Sequence, residues 1–325
     1  MPTAFRTVPS VLAGLVLLAA CGAERDSESP AGAGVPCPSD FARGGQASGA
    51  PTPLPLPSLD GPGEGGVKVT GLYAWGPESG CGTDFSAEFE VTNQGKEAAT
   101  YTVTVGFRSA SGGSVDNAEQ IVTSVGPGRT VKKTVAMGES LGPDADVTGV
   151  EVVKVRSVPA DEASTASGTC PASGLHVYAD QGDAAMGLRV VGLHLVNCGT
   201  RPYELNGYPE LEILDEDHDK ADGVRILDGT DRISTGVGGE GSPQRVVLRP
   251  GEAARTTLAW RNTTEFGDPV NAPYVRVRAK AGASPVMVVP ELDLGTTGKL
   301  GVGPWQKDET YQGARPGTQR PTPTP

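Results

Sequence analysis

The chain has 325 residues and a formal net charge of −12, from 39 acidic against 27 basic side chains. With no cluster of Lys and Arg interleaved with aromatics, that balance argues against nucleic acid as a partner and against lying flat on an anionic bilayer. Hydrophobic residues make up 37% and aromatics 5%, while 46 Gly and 28 Pro multiply turns and linkers; one large core is disfavoured, and two domains of ordinary size with flanking linkers are expected.

Residues 1–20 have the layout of an export signal: Arg6, a short apolar run from Val8 to Leu18, and small residues ahead of Cys21. Leu18-Ala19-Ala20-Cys21 reads as a lipobox, which directs lipid onto Cys21. Val11 to Cys21 falls short of the ~20 apolar residues that span a bilayer, so the stretch reads as a signal peptide rather than a transmembrane helix. The mature chain is therefore expected on the outer face of the cytoplasmic membrane, held there by the lipid on Cys21. At ~0.8 kcal/mol per buried methylene, two or three acyl chains make spontaneous release negligible.

Assigning Cys21 to lipid leaves Cys37, Cys81, Cys170 and Cys198. Outside the membrane these can oxidise, and four cysteines allow three pairings. Cys37 with Cys81 and Cys170 with Cys198 is favoured, because each bond then stays within one domain. Without Cys-x-x-Cys spacing or a nearby His pair, a zinc site has no support; no metal and no cofactor are expected.

Residues 21–66 read as a lipid-anchored tether, with Pro51-Thr52-Pro53-Leu54-Pro55-Leu56-Pro57 favouring extended polyproline geometry. If Cys37 pairs with Cys81, the free part from Gly22 to Pro36 reaches ~20 Å as a coil. From Val67 the chain turns to short segments rich in Val, Thr, Phe and Tyr, punctuated by Gly, Asn and Pro. Strands are predicted at Val67–Trp75, Phe85–Thr92, Thr100–Phe107, Gln120–Val125, Thr130–Ala136 and Val147–Val158. Apolar and polar residues alternate in Phe85-Ser86-Ala87-Glu88-Phe89-Glu90-Val91, as in a sheet with one wet face. Six or seven such strands and no helix of ordinary length give an all-β reading, with an immunoglobulin-like sandwich over 67–158.

Residues 159–169, rich in Ala, Ser and Thr, read as a flexible linker that leaves the domains free to move. Over 170–305 a second series is predicted: Leu175–Ala179, Gly187–Asn197, Glu210–Leu214, Arg245–Leu248, Ala253–Trp260, Tyr274–Ala279 and Pro285–Val289. Residues 306–325 read as a disordered tail. The two series share punctuation: Asn93-Gln94-Gly95 before Tyr101 parallels Asn197-Cys198-Gly199 before Tyr203. Val125-Gly126-Pro127-Gly128 likewise parallels Leu248-Arg249-Pro250-Gly251. Both domains are thus expected to use one immunoglobulin-like plan, the second carrying extra chain in the Gly-rich, acidic stretch Asp215 to Pro243.

The segment Asn197-Cys198-Gly199-Thr200-Arg201-Pro202-Tyr203, with Gly207-Tyr208-Pro209 and Leu248-Arg249-Pro250-Gly251 after it, resembles a domain of unknown function. That domain is common in secreted proteins and lipoproteins of high-GC Gram-positive bacteria. The resemblance covers about residues 170–305 and implies a β-sandwich and an envelope location; it brings no catalytic residues, because none are established for the family. The first domain resembles bacterial immunoglobulin-like modules.

Gly138-Glu139-Ser140-Leu141-Gly142 matches a nucleophile elbow in letters, but Pro143 and Asp144 follow in place of a helix. His176, His194 and His218 all fall in the other domain, so hydrolase chemistry is disfavoured. Asp215-Glu216-Asp217-His218-Asp219 sets carboxylates at alternate positions like the start of a calcium loop. Lys220 stands where Gly is needed and Ile226 where a bidentate Glu is needed, so a solvated acidic hairpin is expected. Tyr203, Tyr208, Trp260 and Trp305 read either as an aromatic binding face or as closure for the end of the sandwich. His194, in a strand, reads as a satisfied structural histidine.

The expectation is a non-enzymatic binding module of the cell envelope, whose partner is an unidentified envelope protein or glycan. Asp215, Asp217, His218 and Asp219 form the candidate binding loop. The alternatives are a structural spacer without a ligand and a cell-wall-acting enzyme.

Overall fold

The computed structural model describes residues 37–38, 50–56, 63–76, 79–138 and 146–313. The signal segment, Cys21, most of the tether and residues 139–142 of the Gly-x-Ser-x-Gly match lie outside the described residues, as does the tail from 314. Two disulfides are present, Cys37–Cys81 and Cys170–Cys198. No helix of the described residues is long and apolar enough to cross a membrane.

The fold is all-β. The first sandwich uses β1 (Thr52–Pro53), β2 (Val67–Ala74), β3 (Phe85–Thr92), β4 (Ala99–Arg108), β5 (Ser114–Val125), β6 (Thr130–Ala136) and β7 (Gly149–Pro159). One sheet runs β1-β2-β3-β6 and faces a second, β5-β4-β7. This is the A-B-E against C′-C-F arrangement of an immunoglobulin-like sandwich. Alternation does the work in β3: Ala87, Phe89 and Val91 are fully buried while Glu88 and Glu90 reach the wet face. Together with Phe107, Val103 and Val105 from β4 they form one core, in which burying each large side chain contributes about 1.5–3 kcal/mol.

Part of the expected tether belongs to this sandwich. Thr52 and Pro53 pair with Ala74 and Tyr73, the Leu54 amide donates to Leu72 O at 2.8 Å, and Leu54 and Leu56 pack on the core. Prolines at every second position make this possible. An edge strand turns alternate amides inward, so the amides that Pro53 and Pro55 lack are not needed, and these two residues offer no outward donor to a further strand.

The second sandwich follows with β8 (Leu175–Ala179), β9 (Asp183–Ala185), β10 (Leu188–Asn197), β11 (Tyr203–Asn206), β12 (Glu210–Leu214), β13 (Arg225–Asp228) and β14 (Arg245–Leu248). Then come β15 (Ala253–Arg261), β16 (Asn271–Ala272), β17 (Tyr274–Arg278), β18 (Pro285–Val288), β19 (Leu292–Asp293), β20 (Lys299–Val302) and β21 (Gln306–Lys307). The large sheet is ordered β13-β20-β15-β10-β8, with β9 on β10 and β21 on β15, and it faces β12-β17-β18. The tail expected from 306 begins instead as β21, and the Asp308 amide continues it by donating to Ala253 O at 2.9 Å. The unpaired edge of β15 beyond β20 supplies the partner groups.

Both sandwiches are closed by the same buried asparagine. Asn93 Nδ2 donates to Glu97 O and Val125 O at 2.8 and 2.7 Å, and its Oδ1 accepts the Gly95 amide at 2.8 Å. Asn197 Nδ2 donates to Arg201 O and Leu248 O at 2.8 and 2.9 Å, and its Oδ1 accepts the Gly199 amide at 3.1 Å. The backbone of each Asn meets the x-Pro-Gly turn in the same way, through Arg129 and Gly128 in one domain and Glu252 and Gly251 in the other. Repeated punctuation in the sequence is therefore a repeated clamp that ties the end of one strand to the turn before another.

Residues 159–165 of the expected linker lie against the second sandwich rather than free of it. Val158, Leu214, Tyr274 and Met287 form a small buried cluster, and Ala163 bridges to Met287. The Met287 amide donates to Glu162 O at 2.7 Å, and Arg276 pairs with Glu162 at 2.7 Å and with Glu212 at 2.9 Å. Arg156 grips Glu291 through two nitrogens, at 2.8 and 2.9 Å, and Glu216 through a third at 2.8 Å. The outward face of β12-β17-β18 offers Leu214, Tyr274 and Met287, and covering them is the physical reason for the docking.

Candidate functional site

The stretch Asp215 to Pro243 splits into two parts with different work. In the first, the chain reverses tightly after β12: Asp215 Oδ1 accepts the amides of Asp217 and Asp219 at 3.0 and 2.9 Å, and Leu214 bridges to Lys220. That carboxylate is occupied by its own turn. Among the described residues no group of three His, Cys, Asp or Glu side chains converges as a metal site. Asp217 and Asp219 are exposed.

His218, in the left-handed region at φ 66°, places its ring edge-on to Tyr274 with centroids 4.4 Å apart. It also lines an open cleft of about 680 Å³ between the two sandwiches, with Gly65, Asn93, Lys96, Tyr101 and Ser157 on other walls. Its Nε2 is buried without a hydrogen-bond partner in the protein. Glu216 of the same turn is the residue held by Arg156. The acidic turn is thus a junction element, in contact with the first sandwich.

The second part folds back over the large sheet. Strand β13 pairs in parallel with β20, and the Gly229 amide donates to Val302 O at 2.8 Å. Thr230 is fully buried, and its hydroxyl donates to Gly238 O at 2.5 Å. The close approach needs glycine: a Cβ on Gly303 would stand 2.5 Å from Gly239 Cα, and one on Gly301 would stand 2.8 Å from Ile233 Cγ1. Gln306 Nε2 donates to Glu240 O at 3.1 Å and fastens the far end. Residues 229–240 therefore form a roof over the outward face of the sheet.

Between roof and sheet lies a concavity of about 330 Å³. Strand alternation sends Leu193, Leu195 and Leu258 into the core and leaves Gly192, His194, Arg255 and Thr257 facing outward. Register then sets Tyr178, His194, Arg255 and Gln306 side by side across four strands. His194 stacks on Tyr178 at 4.9 Å between centroids, and its Nε2 lies 3.1 Å from Asp180 Oδ2. An ionised carboxylate only accepts, so Nε2 carries the proton in this contact. Asp180 Oδ1 accepts the amides of Gly182 and Gly192, each at 2.9 Å. Burial raises the Asp180 pKa, but the His194 hydrogen bond and the two amides outweigh it and hold the carboxyl below its ordinary range. Gly192 is required here, because a Cβ would stand 2.4 Å from Asp180 Oδ2.

His194 is thus satisfied by Asp180, yet it also faces a cavity that the sequence reading did not identify. The available signal was the outward-facing row of polar residues in β10 and β15; the missing information was register. Of the four aromatics, Trp260 and Trp305 lie in the core, donating to Asp293 at 2.7 Å and Ala279 O at 2.9 Å. Tyr208 packs on the core, and Tyr203 lies beneath Lys280, whose Nζ sits 4.3 Å from the ring centroid. They close the sandwich.

Residues 170–306 match a family described as a domain of unknown function, DUF4232. The resemblance read from the Asn-Cys-Gly and Leu-x-Pro-Gly elements agrees with that at the level of an uncharacterised family. No curated protein matches the chain. Among solved structures the chain is similar to one described as a putative beta-galactosidase from Bacteroides fragilis, at 12% identity and a TM-score of 0.23, covering 67% of this chain. It spans 32% of that protein's length, and a likeness at that level carries no argument about activity.

Proposed function

We propose that the chain is a lipid-anchored, non-enzymatic binding module of the cell envelope, with the roofed concavity on its second sandwich as the ligand site. The observation that carries this reading is the concavity itself. A segment inserted between β12 and β14 is fixed at both ends over outward-facing Arg255, Thr257 and His194, leaving space of a size that takes small ligands. The lipobox at Cys21 and two disulfides support a place outside the cytoplasm, where such bonds persist. Docking of the first sandwich through Arg156 and the Val158 cluster favours a second reading, a spacer that sets the distance of the second domain from the membrane.

Two measurements test the proposal. Metabolic labelling with an alkynyl fatty acid should mark the native chain and fail on Cys21→Ala. Photo-crosslinking on intact cells, with the reactive group at Thr257, should trap a component that Arg255→Ala no longer traps. Equal or empty recovery from both would overturn the binding role in favour of the spacer.

A further inference from the structure

We infer that the roofed concavity takes a neutral saccharide, recognised through its hydroxyl groups; the inference rests on the binding reading above and names its ligand class. Chemistry on the walls excludes the other small-ligand classes in turn. Among the described residues, Val190 and Val237 are the only apolar side chains that line the space, so burying a hydrocarbon there would gain little. Asp180 is spent on two amides and His194, which leaves no converging carboxylates for a cation. A net anion would find the single guanidinium of Arg255 set against Asp180 and Asp183.

What remains is a dense set of directional groups of both kinds. Arg255 donates only, and among the described residues its guanidinium makes no ion pair and no hydrogen bond within the protein. Thr257 and Gln306 each donate and accept, and Asp183 accepts. A sugar ring presents adjacent hydroxyls that are donor and acceptor at once, and planar side chains in register across a sheet match that pattern. Recognition by this mixed set favours hydroxyl-rich ligands, because each polar group that a ligand strips of water must be given a partner in return. The volume of about 330 Å³ lies at the small end of ligand sites and suits one or two sugar units rather than a polymer threaded through. The roof and the Asp180–His194 contact are both fixed by hydrogen bonds before any ligand arrives, so little ordering is required on binding.

The test is saturation-transfer NMR on the full lipidated chain in a sugar-free detergent, with glucose, galactose, mannose, N-acetylglucosamine and their disaccharides as probes. The expected result is transfer to at least one neutral sugar, weakened tenfold or more by Arg255→Ala and by Thr257→Val, with Asp217→Asn unchanged. Both variants are first shown to keep the native melting profile; if either does not, Asp183→Ala, at an exposed position on the concavity wall, replaces it. Absence of transfer to every neutral sugar, or transfer indifferent to these substitutions, overturns the saccharide assignment. A charged or peptide component trapped at Thr257 in an Arg255-dependent way would overturn the saccharide class alone and leave the binding module standing.

Discussion

The two sandwiches share a plan and part company at one edge. In the first, β6 ends its sheet, and the edge is guarded only by charge, with Lys132 and Lys133 in its middle. In the second, the equivalent strand β15 is continued by β20, β13 and β21, and the segment that supplies β13 goes on to roof the outer face. The same Asn clamp thus supports a plain module and an elaborated one. The lesson is where elaboration enters: the clamp and the core are left alone, and extra chain is added between β12 and β14, where it can extend the sheet without disturbing either.

The largest expected effect probes what the two domains have in common. Opening Cys37–Cys81 or Cys170–Cys198 by Cys→Ala pairs should cost about 4 and 3.6 kcal/mol by the chain-entropy model, from separations of 44 and 28 residues. Denaturant melts of the two variants check this, and a first-domain bond worth under half the second would break the parallel. Next, Asn93→Ala and Asn197→Ala should each cost about 3 kcal/mol, since each strands buried carbonyls that the Nδ2 group had satisfied. Equal losses in urea melts sharpen the comparison; a neutral change at either position would mean that the clamps are not equivalent.

Smaller effects separate the domains. Gly303→Ala puts a Cβ against the Gly239 backbone and should lift the roof at about 2 kcal/mol. Gly128→Ala, at φ 65° with open space around it, should cost about 1 kcal/mol for its backbone alone. Faster hydrogen exchange at 229–240 in Gly303→Ala, with none in Gly128→Ala, is the expected readout. Last comes the junction. Burial raises the Glu291 pKa, but the hydrogen bonds and charge of Arg156, joined by Lys154, hold it below the ordinary glutamate range. A depressed carboxyl contributes its stabilisation above the unfolded pKa and loses it as pH falls through the folded value. Docking of the sandwiches should therefore persist at neutral pH and loosen only on acidification below the glutamate range. Small-angle scattering at pH 7 and pH 3 checks the direction, and Arg156→Ala should loosen the pair at neutral pH by about 1–3 kcal/mol.

Much of the fold was legible because alternation and punctuation are local. Phe85–Thr92, Thr130–Ala136 and Glu210–Leu214 stand as the pattern predicts, and the paired Asn-x-Gly and Pro-Gly signals located both clamps. Three features were not legible, for one physical reason. The edge strand at Thr52–Pro53, strand β13 in the Gly-rich segment and the docking of 159–165 all depend on a distant partner, which period and composition do not encode. Prolines hid the first, glycines the second, and small polar residues the third. The candidate site suffered the same way. Asp215, Asp217, His218 and Asp219 stood out by composition and proved to be a turn at the domain junction, whereas His194, Arg255 and Thr257 meet only through register. Replacing 215–243 by a short turn would remove β13 and the roof with it, so such a variant tests the fold before it tests capture.

The roof carries the functional account, and hydrogen exchange on the native chain tests it most directly. The amides of Gly229 and Ile233, which donate to Val302 O and Thr230 O, are predicted to exchange on the slow timescale of β15. Exchange as fast as in the exposed turn at Asp217 would contradict the account, because the segment would then be a free loop and the concavity beneath it would not exist.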